Sequence, residues 1–136
     1  MTYIENAVND PLPLSVRHFI AQQIESVAQL ETLLLLRRES QRLWNAGELS
    51  QRLYLSEKMC QVMLNDLERR KFLTRTTDGD SVRYECPDLA ADAIIALLEE
   101  LYRERRVAVI SEIHSTPISK VQTFADAFRL RKDGKS

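Results

Sequence analysis

The sequence is poor in the residues that mark fibrous, disordered or membrane-spanning proteins. Its 136 residues include only three Gly and four Pro, which argues against collagen-like or long disordered segments. No apolar run approaches the roughly 18 residues of a membrane-spanning helix. The start of the chain lacks the basic and apolar stretches of a signal peptide. With 44% hydrophobic residues, the chain can bury the core of one ordinary domain. We therefore expect a cytoplasmic protein that makes no membrane contact.

Cysteine and histidine are equally scarce. Cys60, Cys86, His18 and His114 lie far apart and form no Cys-x-x-Cys spacing, whereas a metal site needs three or four converging ligands. We expect no metal and no cofactor. The two cysteines are interpreted as reduced thiols, at least one of them buried, and a redox switch is the less favoured alternative. The sequence also lacks a Gly-rich phosphate loop, His-Glu-x-x-His and Gly-x-Ser-x-Gly, so we expect no enzyme.

The charge balance is close to neutral. The formal net charge of -1 is unlike that of a protein that binds nucleic acid through excess positive charge alone. Residues 41–86 form the most positive segment, with eight basic and seven acidic side chains. If nucleic acid is bound there, a few well-placed side chains must be responsible.

The first 40 residues predict an extended arm followed by two helices. Residues 1–14 show no periodicity and contain two prolines. Ser15 suits a helix N-cap, and apolar residues recur at helical spacing from Val16 to Ile24. A break is expected near residue 25. Residues 27–39 predict a second, leucine-rich helix that is covered from more than one side.

Residues 44–84 predict a compact sequence of elements. Asn45-Ala46-Gly47 introduces a short helix over 48–53, residues 54–55 form a turn, and Ser56 caps a helix over 56–71. Two short strands, 73–75 and 81–85, flank Asp78-Gly79, a dipeptide suited to a hairpin turn. Trp44 is interpreted as a buried anchor. The apolar stripe of the helix over 56–71, which should face the core, consists of Met59, Cys60, Met63, Leu64 and Leu67.

This order of elements resembles the winged helix-turn-helix domain of bacterial transcription regulators, over about residues 26–86. The resemblance implies a mainly α fold with a small β-hairpin, whose third helix enters the major groove of double-stranded DNA while the hairpin, or wing, touches the backbone. Gln61 and Asn65 suit the edge of adenine, because a carboxamide pairs with it in two places. The groove-facing set would be Ser56, Glu57, Lys58, Gln61, Val62 and Asn65. Phosphate contacts would come from Lys58, Arg75, Arg83, Arg42 and Arg52.

Six residues depart from the pattern of that family, and two of them, Asp78 and Asp80, are anions at the tip of the wing. Val62 stands where a basic or polar contact is common, and Glu57 and Asp66 are anions on or beside the same face. Lys71 stands where a glycine usually closes the third helix. A winged helix that contacts proteins and no longer binds DNA therefore stays open as the alternative.

The last third of the chain predicts a dimerisation region. Residues 89–114 read as one helix about 25 residues and ~38 Å long, which outruns a small domain, and a last helix is expected over 118–130. We therefore divide the chain into an arm (1–14), a winged-helix domain with an N-terminal helix (15–88) and a helical region that forms a homodimer (89–136). No effector ligand can be assigned. The predicted dimer interface comprises Ile94, Leu98, Leu101, Tyr102, Ile110, Phe124 and Phe128.

Overall fold

The computed structural model describes residues 11–115, which contain six helices and one antiparallel hairpin. The elements are α1 (Leu14–Gln23), α2 (Val27–Arg38), α3 (Ala46–Leu53), α4 (Glu57–Arg69), β1 (Leu73–Arg75), β2 (Val82–Tyr84), α5 (Leu89–Glu104) and α6 (Arg106–Ser115). The predicted fold class, mainly α with a small β-hairpin in winged-helix order, is confirmed. Residues 11–115 form two compact units, one of residues 27–96 and one that joins residues 11–26 with residues 97–115.

The unit of residues 27–96 is built around α2 and α4. Helix α4 packs against α3, α2 and β1, and α2 also packs against β2. Leu30 and residues 32–36 of α2 are all buried, as the leucine-rich pattern predicts. Trp44 is fully buried, and its backbone pairs with Val82, with N–O distances of 2.7 and 2.8 Å. The predicted anchor therefore also forms an isolated bridge to β2, on the edge that does not pair with β1.

A polar network ties the hairpin to two helices of the same unit. The Tyr84 hydroxyl donates to Asp92 Oδ1 at 2.5 Å, and Arg37 Nε donates to the same oxygen at 3.1 Å. The hydrogen bond from Arg37, followed by that from Tyr84, lowers the pKa of Asp92. Burial, followed by the bond to Asp92, raises the pKa of Tyr84. Asp92 is thus held as a carboxylate that joins α5, α2 and β2.

The second unit differs from the expected division of the chain, because α1 belongs to it and not to the winged helix. Helix α1 packs against α6, and Arg17 forms an ion pair with Glu112 at 3.5 Å. The prediction of Ser15 as the N-cap is wrong: α1 begins at Leu14 after Pro13, and no side chain caps it. Pro13 occupies the cap position and fixes the backbone there, so the first turn forms two residues earlier than predicted.

The single helix expected over 89–114 is wrong as well, because Arg105 separates α5 from α6. Hydrogen bonds from Arg105 N to Leu101 O and from Val109 N to Arg105 O still span the interruption. No side chain between Tyr102 and Val109 is buried. Packing therefore does not hold this stretch in a regular helical path.

The predicted dimer residues fall into three groups. Leu98 and Tyr102 are buried within the single chain, so neither needs a partner to be covered. Ile94, Leu101 and Ile110 are half-buried. Phe124 and Phe128, together with the predicted helix over 118–130 and most of the predicted arm, lie outside the described residues. Within residues 11–115, no helix is both long and apolar enough to cross a membrane.

Candidate nucleic-acid interface

Helices α3 and α4 form a helix-turn-helix whose ends are set by local hydrogen bonds. The Asn45 side chain accepts from Glu48 N at 2.8 Å, and the Glu48 carboxylate accepts from Asn45 N at 3.3 Å. Tyr54 ends α3 in a left-handed conformation, with φ 58° and ψ 41°. Ser56 accepts from Met59 N at 3.0 Å, which confirms its predicted role as the cap of α4. Only residues 54–56 separate the two helices.

Helix α4 has one buried and one exposed face. Cys60, Met63, Leu64 and Leu67 are buried as predicted, but Met59 is 47% exposed, so its assignment to the core is wrong. At about 100° per residue, Met59 falls outside the arc of the helix spanned by the four buried side chains, on the side of Met63. The outward face combines residues at positions i, i+3, i+4 and i+7, namely Lys58, Gln61, Val62 and Asn65.

A chain of hydrogen bonds connects this face to the hairpin. Gln61 Nε2 donates to Asn65 Oδ1 at 3.0 Å, and an Arg75 NH2 group donates to the same oxygen at 3.1 Å. Arg75 also donates to the Glu68 carboxylate at 2.8 Å and to the Gly79 carbonyl at 3.0 Å. The structure thus brings together three of the predicted site residues, and the charge of Arg75 is balanced by Glu68.

Asp66 does not lie where the sequence placed it. It is not an exposed anion on the outward face of α4, because its side chain is only 17% exposed and accepts hydrogen bonds from Arg70 at 2.7 Å, from Arg69 and from Gln29 of α2. Two arginines neutralise its charge. Asp66 therefore joins α4 to α2 and does not oppose a phosphate at the outward face.

The hairpin pairs Leu73 with Tyr84 and Arg75 with Val82. Arg83 on β2 is exposed and lies 3.5 Å from Glu85. The tip is a loop in which Gly79 has a φ of +80°, as the Asp78-Gly79 pair predicts. The wing therefore presents the exposed Arg83 of β2 and an acidic tip.

The acidic tip is ordered by its own side chains. Asp78 accepts from the Thr76 hydroxyl at 2.6 Å and from Asp80 N at 3.0 Å. These two hydrogen bonds, with that of Thr76 the larger influence, lower the pKa of Asp78. Asp78 and Asp80 are both exposed. The tip consequently remains anionic and is the part of the wing least suited to a phosphate.

The remaining predicted phosphate contacts, Arg52 and Arg42, surround Trp44 and Glu39. The guanidinium of Arg42 lies 3.8 Å from the centroid of the Trp44 ring, and that of Arg52 lies 5.6 Å from it. Arg52 also donates to Glu39 at 2.5 Å, and this bond lowers the pKa of Glu39. The contacts of Arg52 therefore lie in the cluster of Trp44 and Glu39 and not on the outward face of α4. Sequence patterns gave no sign of this cluster, because cation–π contacts follow from tertiary packing.

The cysteines and the acidic residues are the candidates for two kinds of site, a reactive thiol and a metal site. Cys60 is buried, and burial raises its pKa. Burial likewise raises the pKa of Cys86. Both thiols are free, and a raised pKa favours the neutral thiol over the nucleophilic thiolate. Among residues 11–115, no three His, Cys, Asp or Glu side chains converge on a point that suits a metal ion.

Comparisons with known proteins add one similarity in structure. No protein-family model matches the sequence, and no curated protein matches it. A solved structure described as that of a MarR family protein from Bacillus stearothermophilus is 18% identical, and the match covers 99% of this chain and 90% of that one with a TM-score of 0.45. The chemistry of the α4 face and the wing is therefore what indicates a ligand.

Proposed function

We propose that this protein is a sequence-specific, DNA-binding transcriptional regulator that acts as a homodimer. One observation carries the proposal: the helix that follows the turn exposes Lys58, Gln61, Val62 and Asn65 on one face and buries the opposite one. Such a helix fits the major groove, where side chains reach base edges. Carboxamides at two of these four positions supply the hydrogen-bonding groups that base recognition requires.

The electrostatics of this region support binding by a few contacts. Two acids beside the face are neutralised, since Asp66 is bonded to Arg70 and Glu68 is bonded to Arg75, whereas Glu57 in the first turn of α4 is exposed. Lys58 on α4 is exposed, and within residues 11–115 it forms no ion pair. Phosphate contacts position a protein on DNA, whereas base contacts specify the sequence. The proposal assigns phosphate contacts to Lys58 and Arg83, and base recognition to the carboxamide pair Gln61 and Asn65.

The homodimer is supported by the apolar surface of the unit that contains residues 97–115. Leu97 is 39% exposed, Val107 is 77% exposed, and Leu101 and Ile110 are half-buried. A second copy of the chain would cover these side chains and remove their apolar area from water. Two-fold symmetry would also present two α4 helices to successive major grooves, ~34 Å apart.

The experiment is a selection of bound duplexes from a random pool with the purified protein, followed by titrations at two salt concentrations. Gln61→Ala should lose ~1–3 kcal/mol on the selected duplex and little on random DNA. Arg83→Ala should weaken both about equally and reduce the slope of log affinity against log salt by about one. Matched controls are Gln41→Ala and Arg103→Ala, which change exposed residues of the same type outside α4 and the wing.

A second function, docking to another protein, is favoured by one specific observation. Tyr54 is 92% exposed, Val62 is 60% exposed and Met59 is 47% exposed, so apolar side chains line the turn and the outward side of α4. Exposed apolar side chains that cluster are typical of protein contacts. Failure of the wild type to bind any duplex at low salt would favour this function over DNA binding.

A further inference from the structure

The outward face of α4 carries an exposed valine at its centre, and the fold does not need it. Val62 follows Lys58 by four residues and precedes Asn65 by three, and it is 60% exposed. Valine is a weaker helix former than alanine, and an exposed side chain gains little from burial. The side chain therefore contributes little to stability, and its methyl groups are available to a ligand that docks on this face.

The hydrogen-bonding capacity of the two neighbouring carboxamides is unequal. Asn65 Oδ1 accepts from both Gln61 and Arg75, which occupies both of its lone pairs. Gln61 uses one N–H in that bond and, within the described part of the chain, keeps its second N–H and its carbonyl oxygen available. Adenine requires an N–H donor for N7 and a carbonyl acceptor for its amino group. Gln61 can supply both at once, whereas Asn65 cannot.

We propose that α4 reads an A·T base pair, with Gln61 on the adenine edge and Val62 against the thymine methyl group. Thymine is the base that presents a methyl group in the major groove, and an apolar side chain is its partner. Asn65 is a positioning residue, because it orients the Gln61 amide and is itself held by Arg75. This inference rests on the proposed function and deepens it to a class of operator.

Guanine is disfavoured by the bonding of the nearest arginine. Guanine is most often read by an arginine that donates twice to O6 and N7. Arg75 is committed to Glu68, Gly79 and Asn65, and its side chain is only 26% exposed. The outward face of α4 also carries two cations, Lys58 in the first turn and Arg69 in the last. The Arg69 guanidinium forms an ion pair with Asp66, so this arginine too is committed to a carboxylate.

The test uses chemically modified duplexes. The duplex selected by the wild type is prepared with each thymine replaced singly by deoxyuridine, which removes only the methyl group, and with each adenine replaced singly by 7-deazaadenine, which removes N7. At one thymine in each half-site, deoxyuridine should weaken wild-type binding about fourfold, the factor that corresponds to ~0.8 kcal/mol for one buried methyl group. The 7-deazaadenine effect should fall on the adenine of that pair or of the adjacent one.

Variants connect each effect to a residue through double-mutant cycles. Val62→Ala should bind the unmodified duplex about fourfold more weakly and lose nothing more on deoxyuridine. Gln61→Ala should lose the 7-deazaadenine effect. Asn65→Ala should reduce that effect while leaving the deoxyuridine effect intact, which a residue with a merely structural role would not do. Leu89→Ala truncates an exposed apolar side chain at the start of α5, outside α4 and the proposed dimer surface, and should retain both effects.

The outcomes separate this inference from the proposed function. Wild-type binding that is unchanged by deoxyuridine at every position, a Val62→Ala variant that keeps the full deoxyuridine effect, or a selected duplex whose contacted pairs are G·C would overturn the A·T assignment while leaving DNA binding in place. Absence of binding to every duplex at low salt would overturn both. Circular dichroism of each variant identifies any that does not fold, and Val62→Ser, which also removes both γ methyl groups, then replaces Val62→Ala.

Discussion

Lys71 closes helix α4 in a conformation that a lysine adopts only at an energetic cost. Its φ is 75°, in the left-handed region. Its N–H donates to the Glu68 carbonyl and the N–H of Phe72 donates to the Leu67 carbonyl, each at 3.0 Å. This pair of bonds is the Schellman motif, in which glycine is the usual residue. Phe72 and Leu67 are both buried, so the chain cannot relax to another path without exposing them.

The expected gain from Lys71→Gly follows from two opposing effects. A left-handed conformation costs an L-residue ~1–2 kcal/mol, which glycine avoids because it has no Cβ. Glycine also increases the entropy of the unfolded chain, which lowers stability by roughly 0.4–1 kcal/mol. The net expectation is a stabilisation of about 0.5–1 kcal/mol. Lys71→Ala keeps the Cβ and should stay close to the wild type, so the pair of variants separates the backbone effect from loss of the side chain.

Urea unfolding, followed by circular dichroism and by the fluorescence of buried Trp44, measures the free energy of unfolding of each variant. Tyr54→Gly repeats the test at the end of α3, where φ is 58° and the side chain is 92% exposed. Both glycine variants should unfold at higher urea concentration than the matching alanine variants, with unchanged slopes. If Lys71→Gly is no more stable than Lys71→Ala, the strain attributed to this position is absent and the reasoning is refuted.

Three further predictions concern the core, the pH dependence and the assembly. Leu64→Ala, at a side chain that is 2% exposed, should cost ~2–5 kcal/mol of unfolding free energy, and Val62→Ala on the opposite face less than about 0.5; equal losses would mean that the assigned helical phase is wrong. The pKa of Asp92 is lowered, chiefly by the hydrogen bond from Arg37, so its stabilising contribution should be present above the unfolded-state pKa and disappear as pH falls through the lower folded value. Asp92→Asn should therefore flatten the loss of stability in acid, and an unchanged acid limb would contradict this role. In sedimentation, the wild type should run at about twice 15.7 kDa and Leu101→Glu as a monomer or aggregate, whereas a wild type that remains monomeric at about tens of micromolar would overturn the dimer.

Several features of the fold were predictable because short-range interactions decide them. Ser56 caps α4 through a backbone N–H three residues away, and Gly79 takes the positive φ that Asp78-Gly79 favours. The break between α1 and α2 and the turn between α3 and α4 also agree with local patterns. In each of these places the interacting groups lie within a few residues of one another, so the local sequence pattern is enough to predict the structure.

Errors arose where a local pattern allowed two arrangements. The apolar stripe of α4 contains both Met59 and Cys60, and periodicity alone does not show which one faces the core. Apolar residues at helical spacing on both sides of Arg105 predict one helix, although the stretch between Tyr102 and Val109 has no buried side chain to hold it straight. Helical spacing shows which side chains could be buried on one face of a helix. Only packing against other elements decides which of them are buried.

The order of the elements and the identity of the outward residues of α4 were determined by the sequence itself, because helix ends, turns and periodicity are properties of neighbouring residues. The tertiary structure alone decided what those residues can bind. The Asp66 carboxylate accepts a hydrogen bond from Gln29, 37 positions away, and the Asn65 side-chain oxygen accepts one from Arg75, ten positions away on the next element. A polar group can satisfy only a limited number of hydrogen bonds. Contacts between distant segments therefore determine which donors and acceptors remain for DNA.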